Sequence, residues 1–258
     1  MKEKILTISD LSVRLRAAPH TAILHNVSLD IERGSIFGVV GGSGSGKTTL
    51  GLALLGLLPG AMASSGKIIV AGKDITALSS EEKRALRGAG ISMAFQEPLS
   101  AFDPVFTVGY QIKEMLEAHQ MSAGARVHEL LSLCGIKDPG RVAASYPHEL
   151  SGGLRQRAMI ALAIACQPKL LIADEVTSSL DVMLQAEIME LFRSLRKNLG
   201  LTIMLISHDL GVIKHLADDV VILRQGRVIE KSPCADIFKE NAQGYTKELI
   251  RAAGLTCC

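Results

Sequence analysis

Residues 41–49 have the sequence Gly-Gly-Ser-Gly-Ser-Gly-Lys-Thr-Thr, and this stretch decides the fold of the chain. It matches the pattern G-x-x-x-x-G-K-[ST], whose fixed positions are occupied by Gly41, Gly46, Lys47 and Thr48. A strand-like apolar run at residues 36–40 precedes it, and an apolar helical run at residues 50–58 follows it. A strand, a glycine-rich loop and a helix in this order predict a phosphate-binding loop.

The predicted loop has the chemistry needed to hold a nucleoside triphosphate. Its backbone N–H groups can curl around a phosphate, and the following helix adds the positive end of its dipole. Lys47 is expected to reach the β- and γ-phosphates, while the Thr48 hydroxyl ligates Mg²⁺. We therefore expect a nucleoside triphosphate and Mg²⁺ as cofactors, and the family resemblance described below implies that the nucleotide is ATP. The nucleotide-binding residues are predicted to be Gly41, Gly42, Ser43, Gly44, Ser45, Gly46, Lys47, Thr48 and Thr49. A flexible glycine-serine loop is the alternative, but such a loop rarely places Lys-Thr between a strand and a helix.

The composition of the whole chain limits the possible functions. The 258 residues are 48% hydrophobic but only 3% aromatic, which is typical of an aliphatic parallel sheet. A formal net charge of +2 gives no general attraction to nucleic acid, so we expect no nucleic-acid partner. No apolar run approaches the roughly 20 residues needed to span a bilayer. The first residues, Met1-Lys2-Glu3-Lys4, do not resemble a signal peptide.

The order of apolar runs predicts an α/β fold with an inserted helical region. Strands are expected within residues 4–40, beginning with two short runs at residues 5–8 and 11–15. A helical sub-domain is expected at about residues 97–165, with helical periodicity at residues 107–137. Further core strands are predicted at residues 169–174, 202–206, 219–223 and 227–230. A short helical tail at residues 233–258 completes a single domain that spans residues 1–258.

Two carboxylates follow the buried strand predicted at residues 169–174. Asp174 ends this strand and Glu175 comes directly after it. A carboxylate at the carboxyl end of a parallel strand, beside a phosphate loop, can hold Mg²⁺. The second carboxylate is placed to polarise an attacking water molecule. Two solvated acids at a strand end are the alternative interpretation, which the nearby phosphate loop disfavours.

A second glycine pair lies at the start of another helix. Residues 150–157 are Leu-Ser-Gly-Gly-Leu-Arg-Gln-Arg, and Ser151 is predicted to be the N-cap of a helix that runs to about Cys166. Glycines at a helix start let backbone N–H groups approach an anion closely. An ordinary capped helix is the alternative. A second phosphate-binding helix start would make sense if it faced the nucleotide of another copy.

Six motifs occur in the order seen in the ATP-binding cassettes of ABC transporters, and the resemblance covers nearly the whole chain. They resemble the phosphate loop, Q-loop, signature, magnesium carboxylate, D-loop and H-loop of that family. In this chain they are residues 41–48, Gln96, residues 150–157, Asp174-Glu175, Ser179-Leu180-Asp181 and Ser207-His208-Asp209. The resemblance implies a P-loop NTPase (RecA-like) core with an N-terminal antiparallel β sub-domain and an inserted helical sub-domain.

The resemblance also implies a role for each matched residue. Lys47 and the backbone of the loop would bind phosphate. Thr48, Gln96 and Asp174 would bind Mg²⁺, and Gln96 is also one of the implied catalytic residues. Glu175 polarises the attacking water, and His208 contacts the γ-phosphate. Without the family, a structural role for His208 is equally compatible with the sequence. The residues implied to serve the nucleotide site across a cassette dimer are Ser151, Gly152, Gly153 and Asp181.

Within the family, three segments resemble the branch that serves dipeptide, oligopeptide and nickel importers. These are residues 95–104, 146–153 and 244–250. Gly42, where peptide members usually have an acid, and the short C-terminus resemble nickel-importer subunits more. The implied partners are a second cassette (a homologue or the same chain), two membrane-spanning permease subunits and, indirectly, an extracytoplasmic solute-binding protein. The chain would then lie on the cytoplasmic face of the inner or plasma membrane.

The chain departs from the family pattern at two positions. Val176 stands where proline usually follows the glutamate, and proline would fix the backbone torsion φ near −65°. Leu15 stands where an aromatic ring usually covers adenine, and neither Arg16 nor His20 is an obvious replacement. These departures keep one alternative open, a regulatory cassette that hydrolyses ATP poorly and pairs with an active homologue.

Other classes of ABC protein fit the sequence less well. Cassettes of chromosome maintenance and DNA repair insert long coiled coils, but residues 49–149 contain no sustained heptads. Translation-factor ATPases have two cassettes, and this chain has one phosphate loop. Membrane coupling is expected through the loop at residues 97–106, where Leu99, Phe102 and Phe106 are predicted to be exposed. The alternative is that some of these side chains belong to the core. At least Phe102 or Phe106 is predicted to line a groove for a short helix of the permease.

The five cysteines, without a C-x-x-C pair, indicate reduced thiols in a cytoplasm. Cys257 and Cys258, together with Cys234, raise the alternative of a metal or iron–sulfur site. Their spacing does not match a known ligand pattern. Cys134 and Cys166 are expected to be core residues because they lie on apolar helix faces.

Overall fold

The computed structural model describes residues 3–178, 180–239 and 244–255. Its strands are β1 (Lys4–Leu15), β2 (Ala22–Glu32), β3 (Ile36–Val40), β4 (Met62–Val70), β5 (Lys73–Asp74), β6 (Ile91–Ala94), β7 (Leu170–Asp174), β8 (Thr202–Ser207), β9 (Asp219–Arg224) and β10 (Arg227–Pro233). Its α-helices are α1 (Lys47–Leu54), α2 (Ser80–Ala89), α3 (Val108–Ala118), α4 (Arg126–Leu133), α5 (Pro139–Ala144), α6 (Gly152–Ile164), α7 (Val182–Leu199), α8 (Leu210–Leu216), α9 (Cys234–Ile237) and α10 (Gly244–Ala252).

The strands form two sheets. A six-stranded sheet has the order β10-β9-β3-β8-β7-β6, and all its neighbours are parallel except the pair of β9 and β10. A four-stranded antiparallel sheet has the order β2-β1-β4-β5. Helices α3 to α6 lie between β6 and β7 along the chain. The predicted fold class, an α/β core with an N-terminal antiparallel β region and a helical insertion, is confirmed.

Three central strands of the larger sheet, β3, β8 and β7, end at the same edge of that sheet. Every residue of β3, β7 and β8 is buried, as expected for strands that are covered by other elements on both faces. In the pairing register, Val40 lies opposite Ser207, and Asp174 lies opposite Ile206. The residues that follow these three strands therefore leave the sheet side by side.

The helical insertion has its own buried apolar positions. Ile112, Leu116, Leu130 and Leu131 are fully buried within it. Periodicity at residues 107–137 predicted α3 and α4, but it did not indicate α5. That helix begins with proline at its first position and is capped by Asp138, whose carboxylate accepts from the backbone N–H of Arg141 at 3.0 Å. Capping chemistry, rather than apolar periodicity, starts this short helix.

Two predicted boundaries differ from the structure. The helix expected at residues 50–58 begins at Lys47, because the end of the glycine-rich loop forms its first turn. It ends at Leu54, and Gly56 follows in the left-handed region with φ of 64°. The two short runs expected between residues 5 and 15 are one continuous strand, which bulges at Asp10, where φ is 51°.

The loop after β6 is only partly exposed. Leu99 and Phe106 are each 41% exposed, as expected, and the Phe106 ring stacks on Tyr110 with ring centroids 4.8 Å apart. Phe102 is only 6% exposed and belongs to the core, so its predicted exposure is wrong. A short 3₁₀ turn at Pro98–Ala101 precedes Phe102 and turns the chain back toward the core.

No helix within the described residues is long and apolar enough to cross a membrane.

The bulge in β1 depends on a glycine in its neighbour β4. The register between β1 and β4 shifts between Ser9 and Ser12, and Gly66 adopts φ of 102° beside this shift. A Cβ atom on Gly66 would lie 2.5 Å from the carbonyl oxygen of Asp10. The position therefore requires glycine both for its backbone conformation and for space.

We predict that Gly66→Ala lowers the free energy of unfolding by roughly 2 kcal/mol or more, because strain and a backbone clash add together. Gly72→Ala is the matched control, since Gly72 has φ of 81° but a Cβ there would contact none of the described residues within 4 Å. The control should lose only about 1 kcal/mol. Urea unfolding of both variants measures the difference, and equal losses would contradict the role assigned to the bulge.

Candidate nucleotide-binding site

The loop after β3 owes its shape to glycines that have no room for a side chain. A Cβ on Gly41 would lie 2.3 Å from the carbonyl oxygen of Leu223, and one on Gly46 would lie 2.6 Å from a methyl group of Leu24. Gly46 also has φ of 100° and occupies the N-cap of α1 without a side-chain hydrogen bond. The first turn of α1 therefore presents backbone N–H groups to the mouth of the loop.

Lys47 occupies that mouth. Its side chain is only 6% exposed, and its ammonium donates to the carbonyl oxygens of Gly41 at 2.8 Å and Gly42 at 3.1 Å. The same ammonium lies 3.7 Å from the Oε1 atom of Glu175. The buried positive charge is thus held by three acceptors, which phosphate oxygens could replace in part.

Asp174 is the buried acid of the site. It is 2% exposed, and burial raises the pKa of its carboxyl above the ordinary value, an effect that the neighbouring charge of Glu175 increases. The hydroxyl of Thr48 donates to this carboxylate and acts in the opposite direction, as does the charge of Lys47. The Oδ1 atom of Asp174 is buried and has no hydrogen-bond partner among the described residues.

These features fit a bound Mg²⁺ ion. A buried carboxylate oxygen without a partner, next to a hydroxyl, offers the hard oxygen ligands that this cation prefers. The described residues contain no group of three or more His, Cys, Asp or Glu that could hold a metal ion. A phosphate-loop site does not need such a group, because nucleotide oxygens complete the coordination of Mg²⁺.

Glu175 and His208 extend the site along the sheet edge. The Oε2 atom of Glu175 lies 3.1 Å from Nδ1 of His208, which follows the neighbouring strand β8. His208 is 57% exposed, whereas Glu175 is 17% exposed. The sequence prediction that Lys47, Glu175 and His208 share one site agrees with this geometry, because all three meet at the carboxyl ends of β3, β7 and β8.

Gln96 lies at the same edge of the sheet. It follows β6, whose residue Ala94 pairs with Ala173 of β7, so the chain leaves both strands on the same side. Its side chain is exposed. The structure therefore places Gln96 after the strand that neighbours the one ending in Asp174.

The helix start at Ser151 is open. Ser151 is the N-cap of α6, as predicted, but its side chain makes no capping hydrogen bond. A Cβ on Gly152 would meet none of the described atoms within 4 Å, whereas one on Gly153 would lie 2.9 Å from Leu184 of α7. The guanidinium of Arg155 donates to the carbonyl oxygens of Pro147 and Leu150, at 3.0 and 2.7 Å. The preceding loop is thereby fixed while the helix start faces outward.

Asp181 caps α7 and precedes an exposed apolar pair. Its Oδ1 atom accepts from the backbone N–H of Leu184 at 3.0 Å. The next two residues, Val182 and Met183, are 81% and 77% exposed. Ser179, part of the same predicted motif, lies outside the described residues. Exposed apolar side chains beside Asp181 are typical of a surface that another protein covers.

Two neighbours of the loop were not predicted from the sequence. The hydroxyl of Tyr245, on α10, lies 3.3 Å from the position of a Cβ atom on Gly42, and Arg224 lies 4.4 Å from the centre of the Tyr245 ring. The small residue at position 42 was the only available signal.

Leu15, at the end of β1, is partly buried, and Arg16 donates from Nε to the carbonyl oxygen of Met62 at 3.0 Å.

The described cysteines are core residues rather than ligands. Burial raises the pKa of Cys134 to about 12 and the pKa values of Cys166 and Cys234 to about 11. Thiols with such high pKa values remain protonated and bind metal ions poorly. Cys257 and Cys258, on which the metal alternative also depended, lie outside the described residues.

Comparison with known proteins gives consistent matches. Residues 24–178, more than half of the chain, match the family described as ABC transporter. The dipeptide transport ATP-binding protein DppD of Bacillus subtilis (strain 168) is 42% identical over 255 residues, which are 96% of this chain and 76% of that protein. The oligopeptide transport ATP-binding protein OppD of Lactococcus lactis subsp. cremoris (strain SK11) is 38% identical over 256 residues, 97% and 76% of the two chains.

A solved structure that is 29% identical in sequence to this chain has the same fold. The structure of cbiO1 from Clostridium perfringens, described as part of the ABC transporter complex cbiONQ, matches with a TM-score of 0.78 at 29% identity. The match covers 98% of this chain and 95% of that one.

The environment of Asp174 makes a prediction about stability. Because its pKa is raised in the folded chain from an ordinary value of 3.8, ionisation of this carboxyl costs folding free energy at neutral pH. The cost declines as the pH falls below the raised pKa of the folded chain, and it is absent below the ordinary value of 3.8. We predict that Asp174→Asn is more stable than the wild type by roughly 1 kcal/mol at pH 7 without nucleotide or Mg²⁺.

Urea unfolding between pH 7 and pH 4, in the presence of a chelator, measures this difference. The gain should narrow as the pH is lowered, since the wild-type carboxyl then becomes neutral as well. A gain that did not change with pH, or a loss of stability at pH 7, would contradict the assigned desolvation of Asp174.

Proposed function

The chain belongs to the ABC transporter family and is an ATPase of that family, and we propose that it hydrolyses ATP to drive an importer whose membrane-spanning subunits are separate chains. The observation that supports this most strongly is the meeting of Lys47, Glu175 and His208 at the mouth of the glycine-rich loop, with contacts of 3.1 to 3.7 Å. A cassette that only bound nucleotide would not need an acid and a histidine beside the phosphate position.

In the proposed reaction the chain's own residues bind and orient the reactants. The N–H groups of the loop and Lys47 bind the β- and γ-phosphates, and Thr48 and Asp174 would hold Mg²⁺, with Gln96 beside them. The bound ion supplies charge neutralisation of the phosphate oxygens. Glu175 orients the attacking water and accepts its proton. His208, hydrogen-bonded to Glu175, keeps that carboxylate oriented and contacts the γ-phosphate.

We propose that a second cassette completes the site. Ser151, Gly152 and Gly153 form an open helix start that suits a phosphate group, and the side chain of Ser151 is not engaged in capping. Asp181 lies beside the exposed apolar pair that follows it. Two cassettes, either two copies or this chain and a homologue, would bind two nucleotides head to tail, each between the loop of one and Ser151 of the other.

A groove on the helical side suits a membrane subunit. It has a volume of about 350 Å³ and is bounded by the end of α1, by α2, by β6 and by α3. Its apolar lining includes Leu57, Phe95 and Met115, and Arg84 and Arg87 supply positive charge. Phe102 and Phe106, which the sequence analysis expected at the permease contact, are not among the residues that line this groove. We propose that a short cytoplasmic helix of a permease subunit docks there and holds the chain at the cytoplasmic face of the membrane.

The proposed cargo is a peptide. The relatives from Bacillus subtilis and Lactococcus lactis are named for dipeptide and oligopeptide transport, and each aligns with at least 96% of this chain. Neither name mentions nickel, so the nickel alternative, which depended on Gly42 and the C-terminus, receives no support from them. An extracytoplasmic solute-binding protein would deliver the peptide to the two permease subunits, and the chain as a whole would form one ABC ATP-binding domain.

We predict that Glu175→Gln retains ATP binding but lowers the hydrolysis rate by ~100-fold or more, because the water loses its proton acceptor. Lys47→Ala should instead weaken binding of the nucleotide itself. Glu187→Gln is the matched control, since Glu187 lies on α7 with its side chain 52% exposed and pairs with Arg157. Steady-state and single-turnover hydrolysis, together with nucleotide titration, separate the two effects.

Wild-type turnover by Glu175→Gln would contradict the assignment of the base. A wild-type chain that bound ATP without hydrolysing it in a single turnover, together with its partner cassette, would favour the regulatory alternative instead.

A further inference from the structure

A buried hydrogen bond joins the helix that starts at Ser151 to the residue after Glu175. The side-chain amide of Gln156, on α6, donates from Nε2 to the carbonyl oxygen of Val176 at 2.7 Å. Gln156 is fully buried, and Val176 is 1% exposed. In the proposed dimer, Ser151 contacts the nucleotide held by the other cassette, and Glu175 acts on the nucleotide held by its own chain. The hydrogen bond therefore joins the parts of the chain that serve two different nucleotides.

Glu175 needs support because its backbone is strained. Its φ of 48° lies in the left-handed region, which side chains other than glycine adopt only when the surroundings fix them there. The N–H group of Glu175 donates to the carbonyl oxygen of Ile206 at 2.9 Å, which fixes the residue on one side. On the other side, the carbonyl of Val176 is held by Gln156. The strained residue is therefore held between β8 and α6.

Apolar packing alone does not explain an amide at this position. The Oε1 atom of Gln156 is buried and has no hydrogen-bond partner among the described residues. An orphaned buried oxygen opposes folding. The neighbouring helix positions Ala158, Met159 and Ile160 are apolar and fully or almost fully buried. An apolar residue at position 156 would remove the orphaned Oε1 atom, but it would leave the buried carbonyl oxygen of Val176 without its donor. The amide is therefore explained by its contact with Val176 rather than by packing.

We propose that Gln156 is a positioning residue that couples engagement of the helix start at Ser151 to the orientation of Glu175. This inference rests on the proposed role of Glu175 as the base. Gln156 lies five residues after Ser151, roughly 7.5 Å along the axis of α6. A helix of this length moves as a rigid body. When Ser151 and Gly152 bind a phosphate held by the other cassette, α6 shifts as a unit. The shift then reaches the carbonyl of Val176 through the single hydrogen bond from Gln156.

The sequence departure at Val176 makes this bond more important. Proline at that position would fix one backbone torsion next to Glu175 without help from another element. Valine leaves the torsion adjustable, so the orientation of the preceding carboxylate depends on the contact with α6. The glutamate would then be set for hydrolysis only when α6 is in place, which links hydrolysis to assembly of the two cassettes.

The test uses the full chain and the variant Gln156→Met, which keeps the length of the side chain but removes the donor. We expect the kcat for ATP hydrolysis to fall by ~10-fold, with the KM for ATP changed by less than ~2-fold. Ile160→Val is the matched control, because it removes one buried methyl group from the same helix and changes neither partner of the hydrogen bond between Gln156 and Val176. It should keep the wild-type kcat at a temperature where both variants remain folded by circular dichroism.

The double variant Gln156→Met with Glu175→Gln distinguishes the inference from the proposed function. If Gln156 acts through Glu175, the double variant should hydrolyse ATP no more slowly than Glu175→Gln alone. A further ~10-fold loss in the double variant, or an unchanged kcat in Gln156→Met, would overturn the coupling. If Glu175→Gln itself kept wild-type turnover, the proposed role of Glu175 would fail instead.

Discussion

A buried ammonium group organises this protein. Lys47 has almost no contact with solvent, and its charge is compensated by two carbonyl oxygens of its own loop and by the carboxylate of Glu175. An unpaired charge in such a position would cost several kcal/mol, so its partners must be in place. Two of them come from the loop after β3 and the third from the end of β7. The order of β3, β8 and β7 in the sheet is what brings them together.

The same edge of the sheet concentrates groups that are incomplete without a ligand. Asp174 has a buried oxygen without a partner among the described residues, and the first turn of α1 has backbone donors that no side chain caps. Glu175 is held in a strained conformation between β8 and α6. These features oppose folding stability, and they are typical of a site whose geometry is set for a substrate. The rest of the chain, with its fully buried central strands, supplies the rigidity that keeps them in place.

The sequence predicted the parts of the site that depend on local chemistry. Lys47 and Thr48 were identified by their spacing within a glycine-rich loop, and Asp174 and Glu175 by their place after an apolar strand. His208 needed the resemblance to a family, because a histidine at the end of a strand has several possible roles. The fold class followed from the same signals, since apolar strands alternating with helices specify a parallel sheet.

Contacts between distant segments could not be predicted in this way. The bond from Gln156 to Val176 joins residues that are separated by a helix and a strand, and the approach of Tyr245 to Gly42 depends on how α10 packs. For Phe102 the sequence left exposure and burial open, and a 3₁₀ turn directs this side chain into the core. Such outcomes are decided by packing, and no local pattern in the sequence encodes them.

In the proposed dimer, the loop of one cassette and the helix start at Ser151 of another bind the same nucleotide. Disulfide cross-linking of a chain that carries Ser43→Cys and Ser151→Cys tests this arrangement. The same chain also carries Glu175→Gln, which prevents hydrolysis. Cys257→Ser and Cys258→Ser remove the terminal thiols. Ser43 and Ser151 are both exposed, whereas the remaining cysteines are buried. We predict a two-chain product that forms with Mg²⁺ and ATP and is absent without nucleotide. A cross-link within a single chain would contradict the account.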